Sequence, residues 1–277
     1  MQPTETNSEL KIEKWIYGGD GLGRLEGKVV LAPFAIPGER VRVRITQRRP
    51  DLCRAEVEEV MEASADRVAP RCPYFGSCGG CHYQHASYEL QLRQKTLVLA
   101  DVFRRIAKMG IPEPLEVISG EPWRYRNRVQ LHFAEGQLGY MAEGTHRLRP
   151  VDQCPVASPK LEESMIALRG MLSDRRWPRF LRSMELFTNE CEIQINVLES
   201  AQRVAKRFFE WCAERIPGSG AASLDYPAAG FVFRVSHRTF FQVNRFLAGS
   251  LVEAAVGGAA GDTAWDLYAG AGLFSLP

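Results

Sequence analysis

The sequence predicts an α+β chain of several domains, on three observations. Between about residues 10 and 60, short alternating segments are separated by Gly-rich turns, and no helical period is present. From about residue 87 onward, helical patterns are interleaved with strand-like runs. At residues 263–272 an apolar run, Thr-Ala-Trp-Asp-Leu-Tyr, meets the turn Ala-Gly-Ala-Gly, as a buried parallel strand meets a helix. The expected architecture is a small β-barrel over 1–62, a central α+β domain with a cysteine-bearing loop over 63–237, and the opening strand of an α/β sheet over 238–277.

Composition bounds the function. A chain of 277 residues has room for two or three domains. With 45% hydrophobic and 25% charged residues, it is not a largely disordered chain. No run approaches the ~18 apolar residues of a membrane span, and the polar, acidic start MQPTETNSEL is not a signal peptide. A cytoplasmic setting without a membrane partner is expected. Lys+Arg 35 against Asp+Glu 33 leaves a net charge of +2, so any polyanion contact must rest on local positive charge.

The elements follow in order. KIEKWI, GLGRLEG, KVVLAPFAIPG, ERVRVRITQRR and CRAEVEEVM are the barrel strands. In Arg40–Ile45, Val41, Val43 and Ile45 point to a core, while Arg40, Arg42 and Arg44 line the other face. That face reads equally as a solvated surface or a phosphate-contacting stripe. A helix is expected from Ser87 to Met109, with Leu92, Leu99, Phe103 and Ile106 near one face and Gly110 and Pro112 as its stop. Strands are expected at LEVIS (115–119), WRYRNRVQLHFAEG (123–136), QLGYMAEG and THRLRPV. Ser158-Pro159 opens a helix that ends near Ser173. MELFTN and CEIQINVLE are strands, and a helix covers Ala201 to Ile216. PGSGAAS is a loop, FVFRVS a strand, and a turn capped by Asn244 leads into a last helix.

Four constellations carry chemistry. Cys72, Cys78 and Cys81 lie in CPYFGSCGGC, whose glycines allow the backbone to wrap an ion or cluster, and Cys154 in QCPV is a plausible fourth ligand. Iron–sulfur clusters and zinc both take four thiolates. Zinc more often uses two paired CxxC hairpins, and only one CxxC is present, which favours a [4Fe–4S] cluster. His82 and His85 read as neighbours of the site rather than ligands. Cys53, Cys191 and Cys212 read as small buried apolar residues. Asp266–Phe274 holds a G-x-G turn that lets backbone approach a nucleotide or adenosyl ligand, although a tight strand-to-helix turn needs glycine anyway. Phe240-Phe241-Gln242-Val243-Asn244 sets an amide beside aromatics, or is simply a capped core turn. In Trp123–Arg128 a strand would put Arg124, Arg126 and Arg128 on one face, suited to phosphates and unstacked bases.

Together these residues resemble the cluster-containing RNA uracil-5-methyltransferases that act on 23S ribosomal RNA. The resemblance implies a TRAM domain, an OB-like RNA-binding barrel, at the N-terminus, and a Rossmann-like methyltransferase domain beginning near residue 238. It makes Cys72, Cys78, Cys81 and Cys154 the cluster ligands and Tyr125–Arg128 an RNA-facing strand. Gln242, Tyr268, Gly270 and Gly272 become S-adenosylmethionine contacts. Taken with the two basic strand faces, Arg42, Arg44, Arg124, Arg126 and Arg128 are the expected RNA contacts. Ala269 departs from the cysteine that many relatives carry. No obligate protein partner is implied.

The implied mechanism adds a cysteine thiolate to C6 of a flipped uracil, methylates C5 and then removes its proton. In that family the nucleophile, the base and the acidic residue that holds the cofactor ribose lie beyond the first cofactor motif. No residue of this chain is therefore assigned as catalytic, and the chain is expected to be a fragment, inactive alone. A non-catalytic RNA-binding protein with a structural cluster remains open. So does a radical S-adenosylmethionine enzyme, against which the five-residue gap between Cys72 and Cys78 argues.

Overall fold

The computed structural model describes residues 7–112, 114–220 and 222–277. The start of the N-terminal segment (1–6) and one position of the PGSGAAS loop (221) lie outside the described residues. Contacts divide the chain into two units, one running to Val117 and one from Ile118.

The first unit begins with strands β1 (Asn7–Lys11), β2 (Lys14–Trp15), β3 (Gly21–Leu25), β4 (Lys28–Ala32), β5 (Arg40–Arg48) and β6 (Leu52–Glu62). They form one sheet in the order β1-β5-β6-β4-β3-β2, in which only β4 and β6 run parallel. The sheet closes on itself because residues 7–15 serve both edges. Leu10 pairs with Val41 on β5, the chain then turns, and Glu13 N donates to Leu22 O at 2.8 Å while Lys14 pairs with Leu22 on β3. A Cβ on Gly23 would meet Lys11 O at 2.4 Å, so glycine is required where β1 crosses β3. Leu10, Ile12, Val30, Val41, Val43 and Ala55 fill the interior. The alternation of β5 thus buries the side expected, with Ile45 partly buried against it.

The segment after the barrel is tied to it. Buried Glu39 accepts from Arg67 Nε at 2.6 Å and Nη2 at 2.7 Å, and from the amides of Ile36 and Ser64. Asp66 accepts from the Ser87 hydroxyl at 2.8 Å. Ser87 caps α1 (Tyr88–Val102), receiving Leu90 N. These ties place the cysteine-bearing loop and α1 in one compact unit with the barrel.

Helix α1 continues as a π-turn, Phe103–Ala107, that Lys108 ends at φ +56°. The buried side of α1 is Leu90 and Ala100, whereas Leu99 and Ile106 are exposed. The expected apolar face fails for a local reason. The helix packs on Trp15 and Ile36 through Leu90 and Val98, a side that leaves Leu99 out, and the wider π-turn from Phe103 then breaks the 3.6-residue period before Ile106.

The second unit holds β7 (Arg128–Ala134), β8 (Gln137–Met141), β9 (Leu148–Pro150), α2 (Pro159–Met171), β10 (Leu181–Thr188), β11 (Ile193–Ser200), α3 (Lys206–Arg215), β12 (Ser223–Ala228), β13 (Phe231–Ser236) and α4 (Ala248–Val256). Five strands form an antiparallel sheet in the order β11-β10-β7-β8-β9, and β12-β13 is a separate hairpin. Ser158 and Pro159 open α2 as expected, but the Ser158 side chain makes no capping hydrogen bond, and Glu162 N to Ser158 O at 3.0 Å is the first bond of the helix itself.

Five readings change here. LEVIS has no strand pairing, and Trp123–Asn127 is irregular, with Arg124 at φ +53°. Helix α3 starts at Lys206 rather than Ala201. Strand β12 carries Pro227 and Asp225, which disguised it in the sequence. The run Thr263–Tyr268 is not a strand: no described neighbour pairs with it, and Trp265 and Leu267 are 84% and 74% exposed. Among the described residues no helix is long and apolar enough to cross a membrane.

Candidate nucleic-acid and cofactor sites

In the first unit the cysteine loop is a run of tight turns. Cys72 N donates to Gln84 Oε1 at 3.0 Å, Phe75 N to Cys72 O at 3.2 Å, and Cys78 N to Tyr74 O at 2.8 Å. Gly76 takes φ +81°, and a Cβ on Gly80 would lie 3.5 Å from Cys78 Sγ. Three half-buried thiols on one short loop are suitable donors for iron or zinc. Among the described residues, however, no three His, Cys, Asp or Glu side chains are gathered closely enough to hold an ion. Cys154 belongs to the second unit.

His85 is 2% exposed, ringed by Trp15, Phe34 and Phe75 at centroid distances of 6.0, 6.1 and 5.4 Å. Neither ring nitrogen makes a well-formed hydrogen bond among the described residues, although the Ala35 backbone lies near enough to oppose part of the pKa shift. Burial, helped by the Arg67 charge, pushes its pKa down to about 4. It is therefore a neutral packing residue.

The barrel arginines are engaged. Arg40 pairs with Glu9 and Glu62, Arg42 with Glu59, and Arg44 with Glu56 and Glu58.

In the second unit, three stretches singled out in the sequence come together. Arg124 N and Arg126 N donate to Pro155 O and Val156 O, both at 2.9 Å, and Ser158 N returns to Arg126 O. This laces the Cys154 turn, closed by Ala157 N to Cys154 O at 3.0 Å, along one side of Arg124–Asn127. On the other side Asn127 N donates to Val243 O at 3.0 Å, and Arg245 N to Tyr125 O at 2.9 Å. Arg124–Asn127 is thus a central thread between the Cys154 turn and the Gln242–Arg245 segment.

The three arginines do not share a face. Arg124 is exposed, with its guanidinium 4.0 Å from Glu162. Arg126 is half-buried in the thread. Arg128 is held inside by Glu185 at 3.0 Å, by Thr239 O at 2.9 Å and by the Phe187 ring at 4.4 Å. A strand geometry would have aligned them. The positive φ of Arg124 turns it away instead.

Asn127 is fully buried and was not singled out by sequence reasoning as a positioning residue. Its Nδ2 donates to Tyr226 OH and to Gln242 O, both at 2.9 Å. Tyr226 stacks on Phe187 at 5.7 Å and lies 4.6 Å from Phe241. Burial raises the Tyr226 pKa and the Asn127 hydrogen bond partly offsets it, so the hydroxyl stays neutral. An amide inside an aromatic-flanked motif was the available signal.

Gln242 is half-buried, and its neighbour Phe241 is in the core. Leu273 joins that core, together with Val252 and Phe233. A Cβ on Gly270 would lie 3.8 Å from Phe240 O, so the glycine turn runs beside the Phe240–Asn244 segment. Gly270 and Gly272 take φ +58° and +78°. Tyr268 is fully exposed. Asn244 caps as expected, its Oδ1 receiving Phe246 N at 3.0 Å.

The TRAM domain family model matches residues 8–57, the barrel. A 23S rRNA (uracil(1939)-C(5))-methyltransferase RlmD from Shewanella amazonensis is 30% identical over 97% of this chain and 66% of its own length. One of the same name from Halomonas elongata is 32% identical over 99% of this chain and 64% of its own length. The chain therefore spans just under two thirds of those relatives. The crystal structure of the Pyrococcus abyssi tRNA (uracil-54, C5)-methyltransferase with S-adenosyl-L-homocysteine is similar in fold, with TM-score 0.68, 21% identity and coverage of 96% of this chain and 69% of that one. The barrel thus matches the TRAM domain, and along nearly its whole length the chain is similar to RNA uracil-C5-methyltransferases.

Proposed function

We propose that this protein methylates C5 of a uridine in RNA, with 23S rRNA as the substrate and S-adenosylmethionine as methyl donor. The observation that carries the reading is the match along 97–99% of the chain to relatives of that name. Its geometric support is the shared anchoring of Gln242 and the Gly270 turn beside one aromatic core.

In this reading Gln242, Tyr268, Gly270 and Gly272 contact the cofactor, the two glycines by bringing backbone close to it. S-adenosylmethionine supplies an electrophilic sulfonium methyl. Uracil C5 attacks it only after a thiolate has added at C6, because the adduct makes C5 enolate-like, and the base must leave its stack to be reached. No cysteine of this chain is assigned as that thiolate. Cys53 and Cys212 are buried, burial pushes the Cys212 thiol up to about 12, and Cys191 sits in the β10–β11 turn. The work of these residues is binding and orientation.

Arg124 and Arg126 face the RNA in this proposal. Arg42, Arg44 and Arg128, already held by glutamates, take no part in it. Cys72, Cys78, Cys81 and Cys154 hold a [4Fe–4S] cluster, an assignment supported by donor chemistry and spacing. The role of the cluster would be structural, since methyl transfer requires no electron.

The test incubates the full-length protein with methyl-labelled S-adenosylmethionine and 23S rRNA transcript, followed by nucleoside analysis. Label in 5-methyluridine is expected; label absent, or confined to another nucleoside, overturns the reading. Anaerobic iron and sulfide reconstitution tests the cluster separately. About four irons per chain are expected, with loss in Cys72→Ser, Cys78→Ser, Cys81→Ser and Cys154→Ser.

A further inference from the structure

The barrel divides its arginines into two populations. Along the first half of β5, Arg40, Arg42 and Arg44 face Glu9, Glu56, Glu58, Glu59 and Glu62, five carboxylates for three guanidiniums. The cross-strand register sets this up, pairing Arg42 with Glu59 and Arg44 with Glu56. Such a face is net negative and repels a polyanion. A phosphate would also have to displace a carboxylate from each guanidinium.

At the far end of the same strands the balance reverses. Arg48 and Arg49 lead into the β5–β6 turn, which Arg49 N closes on Leu52 O at 2.9 Å. The parallel register of Val29 with Leu52 brings Lys28 to the same end. All three side chains are exposed. Among the described residues none of them forms an ion pair, although Glu26 and Asp51 share that end. Arg54, farther along β6, is held by Asp20 at 3.4 Å.

We propose that the barrel contacts RNA phosphates through the β5–β6 turn, by Arg48 and Arg49 with Lys28 beside them, and not through the Arg40–Arg44 ladder. This rests on the reading of the protein as an RNA enzyme and assigns the surface within it. Unpaired guanidiniums on a turn can fork onto phosphate oxygens and release condensed counterions with no carboxylate to displace. A turn also projects beyond the sheet, where it can follow an irregular RNA backbone.

The experiment measures binding of a labelled single-stranded RNA oligonucleotide of mixed sequence to the full chain by fluorescence anisotropy, from about 50 mM to about 200 mM KCl. Arg48→Gln with Arg49→Gln is expected to weaken binding about tenfold at the low-salt end and to flatten the salt slope by about 1.4. Arg48→Lys with Arg49→Lys retains most of the affinity. The quadruple change Arg42→Gln, Arg44→Gln, Glu56→Gln and Glu59→Gln keeps the net charge and is expected to bind within about twofold of the parent. Thermal melts of each variant verify folding. A ladder variant that loses binding while the turn variant keeps it overturns the proposal, as does a turn variant with parental affinity and slope. If the parent chain binds no RNA at any salt, the RNA reading fails, and that result is distinct from either.

Discussion

Asn127 donates a hydrogen bond to the backbone oxygen of Gln242 at 2.9 Å, 115 positions away in the chain. The same amide holds the Tyr226 hydroxyl. One buried side chain thus joins the basic thread, the β12-β13 hairpin and the segment assigned to the cofactor.

Removing that amide leaves the Gln242 carbonyl and the Tyr226 hydroxyl without their donor in a dry interior. Asn127→Ala is expected to destabilise the chain by about 2–3 kcal/mol. Tyr226→Phe, which deletes a single hydroxyl, should cost about 1 kcal/mol. Urea unfolding of both single variants and the double variant checks this, and a double-variant effect equal to the sum of the singles would contradict a shared network.

The first unit should lose stability in acid in two stages. His85 has a folded pKa of about 4, below its ordinary 6.5, so the unfolded chain takes up its proton first. Its contribution is complete above about 6.5 and drains away as pH falls toward 4, by about 3 kcal/mol in all. For Glu39, burial raises the carboxyl pKa, but the Arg67 hydrogen bonds and the Ile36 and Ser64 amides outweigh it, and the net shift is downward. Its contribution is present above the ordinary carboxyl pKa of 4.5 and is lost below it. His85→Phe should flatten the stability profile between about 6.5 and 4.5 while leaving the steeper loss below. An unchanged slope in that window would remove His85 from the account.

Barrel closure depends on Gly23, where β1 crosses β3 within reach of any side chain. Gly23→Ala should cost about 1–3 kcal/mol by forcing Lys11 and Leu10 apart. Gly110→Ala, with no atom within 4 Å of the added carbon, is the control, expected within about 0.5 kcal/mol of the parent. Comparable melting temperatures for the two variants would show that the seam tolerates a methyl group.

The isolated cysteines differ in reach. Native-state alkylation followed by peptide mass analysis should label exposed Cys191 and spare Cys53 and Cys212 until denaturant is added. Burial pushes the Cys212 thiol up to about 12, which leaves almost no thiolate at neutral pH. Rapid labelling of Cys212 in the folded protein would contradict that burial.

Much of the fold was legible because local pattern and final environment agree. Val41 and Val43 alternate with arginines in the sequence and are buried in the barrel. Ser158-Pro159 announces α2, and Asn244 caps the turn it was expected to cap. The misreadings share a cause. Trp123–Asn127 looks like a strand by composition, yet its backbone bonds are taken by Pro155, Val156 and Val243 from remote segments. Thr263–Tyr268 has a buried strand's composition but no strand beside it among the described residues. Hydrogen-bond partners, not side-chain period, decide whether such runs become sheet.

The sequence by itself determined the β-barrel, helices α2 and α4 and most strands of the central region, and the resemblance carried by its cysteine spacing and late glycine motif. Those properties are carried by residues near one another in the chain. Tertiary structure decided which arginines are engaged by carboxylates, where the cysteine loop is tied, and that Asn127 supports Gln242. Arg44 meets Glu56 and Glu58 through a strand register, Arg67 meets Glu39 across the barrel's exit, and Asn127 reaches Gln242 through the core. Each is a contact between distant positions, set by packing that no local pattern of residues encodes.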